Sequence, residues 1–351
     1  MIRRLLIFST FLVCLVVLSV PAFAAANDCD RACLKNALDQ YLTAVTTHKP
    51  SAAPLFAGFR QTENAVVIPM GSGVWKSVTG LGKVQRRYLD PVSGNAAYYG
   101  TVEEGSNLAV VTVRVRVEDH KITEAEWYIA RENDPGLNGP RQPGQAPPNL
   151  FNPDGLAAAP PPDRVLPKAS RASREMLIAV TNSYFDGITS HDSAVVMADP
   201  RCDRMENGTG MGNRGGGGGA RGAAQQPARG AQNAPAPAPQ APPARGQTGV
   251  SSCAAGFATI NVQLVAARRY PVVDEEAGVV LALAIFIRRP GSTTARNVFS
   301  EWFVIDDNKI RNIYTAMFYP PPDQPVPNWP PYEGNWPLPA GVIPAPAAAK
   351  Q

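Results

Sequence analysis

Two stretches of the chain carry the same apolar stripe. Over residues 33–44, Leu34, Leu38, Tyr41 and Leu42 fall at helical spacing, and Met176, Leu177, Val180, Tyr184, Phe185 and Ile188 repeat the pattern. Each stripe predicts a helix with one face in a core. A polar turn at His48 or His191 follows, then a second small helix and a strand carrying Glu63-Asn64 or Glu206-Asn207. Another helical stretch leads into long strands. Residues 108–117 alternate valine with Thr112, Arg114 and Arg116, the pattern of a half-exposed sheet, whereas 279–287 are almost wholly apolar, the pattern of a sheet buried on both faces. The last strands, 122–130 and 309–318, follow tight turns at Glu118-Asp119-His120 and Asp306-Asp307-Asn308.

The two halves are copies. Tyr41, His48, Glu63 and Asn64 recur as Tyr184, His191, Glu206 and Asn207, each 143 residues later. Arg86-Arg87-Tyr88 and Asp90 answer Arg268-Arg269-Tyr270 and Asp274 at offsets of 182 to 184, and Lys121-Ile122 answers Lys309-Ile310 at 188. So long a period means a duplicated domain, because solenoid units are only tens of residues long. The growing offset locates an insertion of about 40 residues at 208–247, rich in Gly, Ala and Pro and too poor in apolar side chains to bury a core. Residues 134–167 hold ten prolines and read as an extended linker. The predicted organisation is a first domain over 28–133, a second over 168–320 containing the insertion, and a proline-rich tail over 321–351. Trp329, Tyr332 and Trp336 in that tail suit a cover over a groove of the protein's own surface.

The first 24 residues read as an export signal: Arg3 and Arg4, an apolar run to Val20, and Ala22-Phe23-Ala24 as a cleavage site. Export to periplasm or medium, with no membrane anchor after cleavage, is expected. An even number of remaining cysteines in an oxidising compartment favours disulfides over metal or redox chemistry. Cys202–Cys253 would close the base of the insertion and leave Cys29 to pair with Cys33; four cysteines allow three connectivities. The formal charge is +4, but without Arg3, Arg4 and the four arginines of 208–247 the remainder is about −2. That balance argues against a nucleic-acid partner.

The order helix–helix–strand–helix–strands, with an acid on the first strand, resembles the nuclear transport factor two-like superfamily, which includes ketosteroid isomerase and SnoaL-type cyclases. The segments CDRACLKNALDQYLTAV, TENAVVIPMGSGVWK and DHKITEAEWYIAR look like a secreted domain family of that fold. The resemblance implies an α+β architecture: two cone-shaped, curved antiparallel sheets, each wrapped on N-terminal helices, arranged as an intramolecular pseudo-dimer. It also implies a pocket for a small apolar, aromatic or carbohydrate ligand. Ketosteroid isomerase-like members carry a carboxylate base on the strand that holds Thr62-Glu63-Asn64 and Met205-Glu206-Asn207 here. A carboxylate in an apolar cone has a raised pKa and suits proton transfer. Glu63, Glu206 and Asp274 are the candidate catalytic acids, and the alternative is that the Glu-Asn pair stitches its strand to a neighbouring segment.

Trp75, Tyr88, Asp90, Tyr270 and Trp302, with Asn64 and Asn207, combine apolar bodies with hydrogen-bonding ends and are the candidate ligand contacts. Arg87 and Arg269 are placed to pair with Asp90 and Asp274. Three histidines without paired spacing predict no metal, and neither a G-x-S-x-G nor a dinucleotide fingerprint in a strand–helix context predicts a hydrolase or a cofactor. The expected function is binding of a small molecule by a monomer with an internal pseudo-twofold. A cofactor-independent lyase, dehydratase or isomerase is the alternative, and an envelope interaction protein a third.

Overall fold

The computed structural model describes residues 28–140, 144–145, 149–211, 252–292 and 297–320. The export signal, most of the insertion and the tail aromatics lie outside these residues.

The protein is α+β, with two six-stranded sheets built on the same plan. In the first half α1 (Arg31–Thr46) precedes β1 (Leu55–Glu63), β2 (Val66–Ile68), a single helical turn α2 (Val74–Ser77), and β3 (Gly80–Asp90), β4 (Asn95–Glu104), β5 (Asn107–Glu118) and β6 (Lys121–Arg131). After a connection containing α3 (Pro153–Ala158), α4 (Arg174–Ser190) opens the second half. There β7 (Ala198–Glu206), β8 (Thr209–Gly210), β9 (Leu264–Asp274), β10 (Val279–Ile287), β11 (Val298–Asp306) and β12 (Lys309–Phe318) follow. The strand orders are β2-β1-β6-β5-β4-β3 and β8-β7-β12-β11-β10-β9, with β1·β6 and β7·β12 the parallel pairs. The predicted small helix after each histidine is a 3-10 turn, Pro50–Ala52 or Ser193–Val195.

Side-chain oxygens set the helix starts: Asp30 accepts from Cys33 N–H and Ser173 from Met176 N–H. Left-handed histidines set the ends. His48 and His191 have φ of 57° and 59°, and the next residues, Lys49 and Asp192, return N–H bonds to Ala44 and Gly187. Their Nδ1 atoms donate to the carbonyls of Trp75 (2.7 Å) and Phe257 (3.1 Å), so the repeated histidines are helix stops tied to the next segment.

Each helix lies on one face of its own sheet, closing a core around Leu38, Tyr41, Trp75 and Trp127 in the first half and around Tyr184, Phe185, Phe299 and Phe303 in the second. The opposite faces of the two sheets pack on each other through Tyr88, Tyr99, Val279, Leu281, Trp302 and Tyr314, among others. Strand β10 therefore has its expected burial on both faces. Strand β5 departs from the half-exposed reading, because Thr112 and Arg114 are fully buried. What covers them is the other half: Ser300 Oγ and Trp302 Nε1 both bond Thr112 Oγ1, at 2.7 and 2.8 Å. Arg114 pairs with Glu124 and Glu126. The connection is likewise docked rather than extended. Leu156 enters the packing between sheets, and Arg164 pairs with Asp306 at 2.8 Å. Gly208 (φ 82°) fits against it only as glycine, since a Cβ there would lie 2.0 Å from the Asn152 carbonyl oxygen.

Both disulfides, Cys29–Cys33 and Cys202–Cys253, are formed. No helix among the described residues is long and apolar enough to cross a membrane.

Candidate functional site

Reciprocal pairs across the two halves account for several of the residues expected to bind ligand. Arg31, the first residue of α1, places both terminal nitrogens 3.0 Å from the two carboxylate oxygens of Asp274, which also takes Leu89 N–H at 2.8 Å. Arg174, the first residue of α4, answers by binding Asp90 at 2.8 Å, and Val273 N–H donates to Asp90 at 2.9 Å. Both carboxylates are 1% exposed. Their oxygens are occupied by a guanidinium and backbone donors, so Asp90 and Asp274 clamp the halves together, and the arginines expected to pair with them go elsewhere. Arg87 binds Asp39 on α1, and Arg269 binds Glu126 of the other half at 3.0 Å.

Tyr88 and Trp302 meet between the sheets with ring centroids 5.0 Å apart and planes tilted by 42°, and the Tyr88 hydroxyl donates to the Pro162 carbonyl. Tyr270, its repeat counterpart, faces the other way. The register of β9 slips between Arg269 and Val272, next to Pro271, and the added residue turns Tyr270 toward α4, where its hydroxyl bonds Asn182 (2.7 Å). Trp75 is in the first core, its Nε1 on Gln61 Oε1 (2.7 Å). The expected ligand set is thus divided among a core, an interface and a helix face.

The Asn of the Glu-Asn pair does the same work in both copies, and the Glu does not. Asn64 (φ 47°) donates to the Ile129 carbonyl and accepts from Ile129 N–H, at 3.0 and 2.9 Å, and Asn207 (φ 46°) does the same with Met317. These are strand stitches. Glu63 accepts from Val74 N–H at the start of α2 and from Arg131, which also pairs with Glu104. Glu206, at the matching position, lies in a different setting.

Strand register makes the comparison between halves exact. Trp127 stands between Val113 and Glu63 in the first sheet, and Thr315 between Glu301 and Glu206 in the second. The repeat likewise aligns Gln61 with Arg204 and Arg131 with Tyr319. In the first half Glu63 and Arg131 form a partly exposed ion pair, and the positions beneath them are uncharged and filled: Gln61 Oε1 accepts from the Tyr41 hydroxyl and Trp75, while Trp127 Nε1 donates to Tyr41. In the second half the same volume holds two carboxylates, a guanidinium and two tyrosines. Arg204 lies 3.3 Å from Glu301 and 3.1 Å from Glu206, and the Tyr319 hydroxyl donates to Glu206 at 3.1 Å. Tyr184 packs edge-on to Phe257 and Phe303 against this group.

Glu301 is fully buried, and neither its Oε2 nor the hydroxyl of its cross-strand neighbour Thr315 makes a hydrogen bond of ordinary geometry among the described residues, although the hydroxyl is close enough to act on the carboxyl. Burial pushes the Glu301 carboxyl up to about 7, against the opposing pull of the Arg204 charge; Glu206 adds to the rise and the nearby Thr315 hydroxyl works against it. Burial dominates at Tyr184 and Tyr319 as well, and both phenols stay protonated far above neutral pH. Desolvation would lower the Arg204 pKa, but the Glu206 and Glu301 carboxylates beside it outweigh that cost and the guanidinium stays charged. A carboxyl that is half-protonated near neutrality, beside a fixed cation and inside an aromatic wall, can donate or accept a proton.

The sequence pattern singles out Glu206 but not Glu301, Arg204, Thr315 or Tyr319. A signal is present: an acid at 301 in a strand otherwise apolar over 298–305 except for Ser300, where the first copy has Val113. Residues 170–317 match the family described as a domain of unknown function (DUF8021), a span that contains Tyr184, Arg204, Glu206, Glu301 and Thr315. No curated protein matches the chain.

Proposed function

We propose that the second half is the working half, holding a small organic molecule beside Glu301 and moving a proton on it. The observation that carries this reading is the replacement of Val113 in one copy by Glu301 in the other, buried with an unpartnered oxygen. A purely structural copy has no need of that change, because an apolar side chain fills the matching place in the first half at no desolvation cost. Glu301 would act as general acid–base, Arg204 would stabilise negative charge developing on a substrate oxygen, and Tyr184 with Phe303 would supply apolar contact. The chemistry favoured is a cofactor-independent isomerisation or elimination next to a carbonyl or hydroxyl. The first half, whose core is filled by Trp75 and Trp127, would serve as scaffold.

The same reading places the protein outside the cytoplasm, as a monomer whose halves stand for the subunits of a dimer. It takes each half as a cone of the nuclear transport factor two-like type. Support comes from a helix packed on one face of a six-stranded sheet in each half, with the same strand order.

A thermal-shift screen of small hydroxy, keto and aromatic compounds would supply a ligand, and turnover of that compound would then be compared in wild type and Glu301→Gln. Loss of about a hundredfold or more in turnover with affinity retained is expected. Equal turnover in the two proteins would remove Glu301 as the acid–base group, and stabilisation by ligand that survives Arg204→Met and Glu301→Gln together would place the site elsewhere.

A further inference from the structure

The first half carries a second cluster that the proposed reaction does not use. His120, in the turn between β5 and β6, puts Nδ1 3.3 Å from Cys33 Sγ, although the two residues are 87 apart in sequence. Cys29 Sγ, Cys33 Sγ and a ring nitrogen of His120 all lie within 4.8 Å of one another. On the far side of the ring, His120 Nε2 is 3.2 Å from Asp28 Oδ2. Three soft or borderline donors converge, and a carboxylate holds the back of the imidazole.

Tetrahedral zinc, with metal–sulfur and metal–nitrogen distances of about 2.3 and 2.0 Å, sets its ligand atoms roughly 3.5–3.8 Å apart. Opening the disulfide brings the sulfurs toward that separation with little backbone movement, since the Cα atoms are already 5.2 Å apart. The Asp28–His120 contact is the outer-shell carboxylate that orients ligating histidines and fixes their tautomer, leaving Nδ1 free for a metal. The turn geometry is set independently: His120 has φ of 57°, so its side chain is presented by the backbone. None of this recurs in the second half, where the repeat places Ala172, Met176 and Asn308 at the matching positions. Nor do the described residues around Cys202–Cys253 form such a cluster.

We propose that Cys29, Cys33 and His120 form a redox-gated site for zinc or another thiophilic divalent cation, closed as the disulfide and opened by a dithiol reductant. The reductant passes two electrons and two protons to the disulfide and itself becomes a disulfide, leaving Cys29 and Cys33 as thiols. The cation displaces both thiol protons to solvent and binds two thiolates and His120 Nδ1, while His120 Nε2–H donates to Asp28. A fourth position faces the surface, where His120 is 63% exposed, and accepts water or an exogenous ligand. The site also adjoins the contact between the halves: the disulfide loop contains Arg31, whose guanidinium binds Asp274.

The test uses the full mature chain, reduced anaerobically with a phosphine and titrated with cadmium, read by its thiolate charge-transfer absorption and by alkylation mapping. One cadmium per reduced chain is expected, none per oxidised chain, with Cys29 and Cys33 protected from alkylation and Cys202 and Cys253 not. His120→Ala should weaken binding by at least tenfold, and Asp28→Asn by about tenfold. Far-ultraviolet circular dichroism checks that the variants are folded. No binding by the reduced chain, protection at Cys202 and Cys253 instead, or unchanged affinity in His120→Ala would overturn the assignment.

Discussion

At the scale of single residues, the contrast between Val113 and Glu301 is the most consequential. Glu301 has its folded-state pKa raised to about 7 from the ordinary 4.5, by burial above all. The folded protein therefore binds more protons than the unfolded chain between those values. Stability should fall as pH rises from about 4.5 through about 7, and the loss should be on the order of 3 kcal/mol. Glu301→Gln keeps the shape and cannot ionise, while Arg204 retains Glu206. Denaturant melts at pH 5 and 8 should show a smaller decline for the variant, leaving it more stable than wild type at pH 8. A parallel decline in both proteins would show that Glu301 does not titrate as described. The residue is hard to pick from sequence because an acid in a strand ordinarily signals a solvent face; the aromatic residues Phe299, Trp302 and Phe303 around it are the better guide.

At the scale of elements, Asn64 and Asn207 decide where β1 and β7 end. Each side chain makes a two-bond bridge to the backbone of the neighbouring strand, from a left-handed conformation that Asn tolerates better than most residues. Replacing either by Ala leaves a buried N–H and a buried carbonyl without a partner and adds backbone strain. A loss of about 1–3 kcal/mol per site is expected from chemical denaturation. The Asn207 variant should also disturb Glu206, the adjacent residue, whereas the Asn64 variant should leave ligand binding in the second half intact. A change below about 0.5 kcal/mol in both would mean that these bridges are not held in solution. The repeat made the Glu-Asn pair visible; which member faced inward depended on the chain leaving the strand conformation at Asn, which alternation along a strand does not foresee.

At the scale of the whole molecule, charge buried between the halves governs acid behaviour. Glu126 is fully buried; desolvation alone would raise its pKa, but Arg114 and Arg269 outweigh it and hold the carboxyl down at about 2. A depressed folded-state value contributes stability that is present above the unfolded value of about 4.5 and lost as pH falls toward 2. Arg269 comes from the other half, so that loss should loosen the packing of the sheets on one another. The pair of clamps should behave alike: Arg31→Met and Arg174→Met each leave a buried carboxylate without its counter-ion, at a cost of about 3–5 kcal/mol. Acid titration followed by tryptophan fluorescence reads the transition through Trp302, and Glu126→Gln should move its midpoint. An unchanged midpoint would place the acid-sensitive contact elsewhere.

The duplication, the two long helices and the spans of four strands (108–117, 122–130, 279–287 and 309–318) are readable along the chain, because periodicity is a local consequence of backbone geometry. So are the two disulfides, as one reading among three connectivities. What no local pattern carried was the second surface of each sheet. Arg114 and Thr112 looked solvent-facing because alternation reports that a face is polar, not what covers it. Tyr88 and Tyr270 looked equivalent because they align, yet a register slip at Pro271 sends one to the interface and the other to a helix. Glu301 meets Arg204 across 97 residues and His120 meets Cys33 across 87, through strand pairings and turns set only when the sheets close. Packing of the two sheets, with the desolvation it imposes, decides which polar side chains are clamps and which keep an unspent capacity for chemistry.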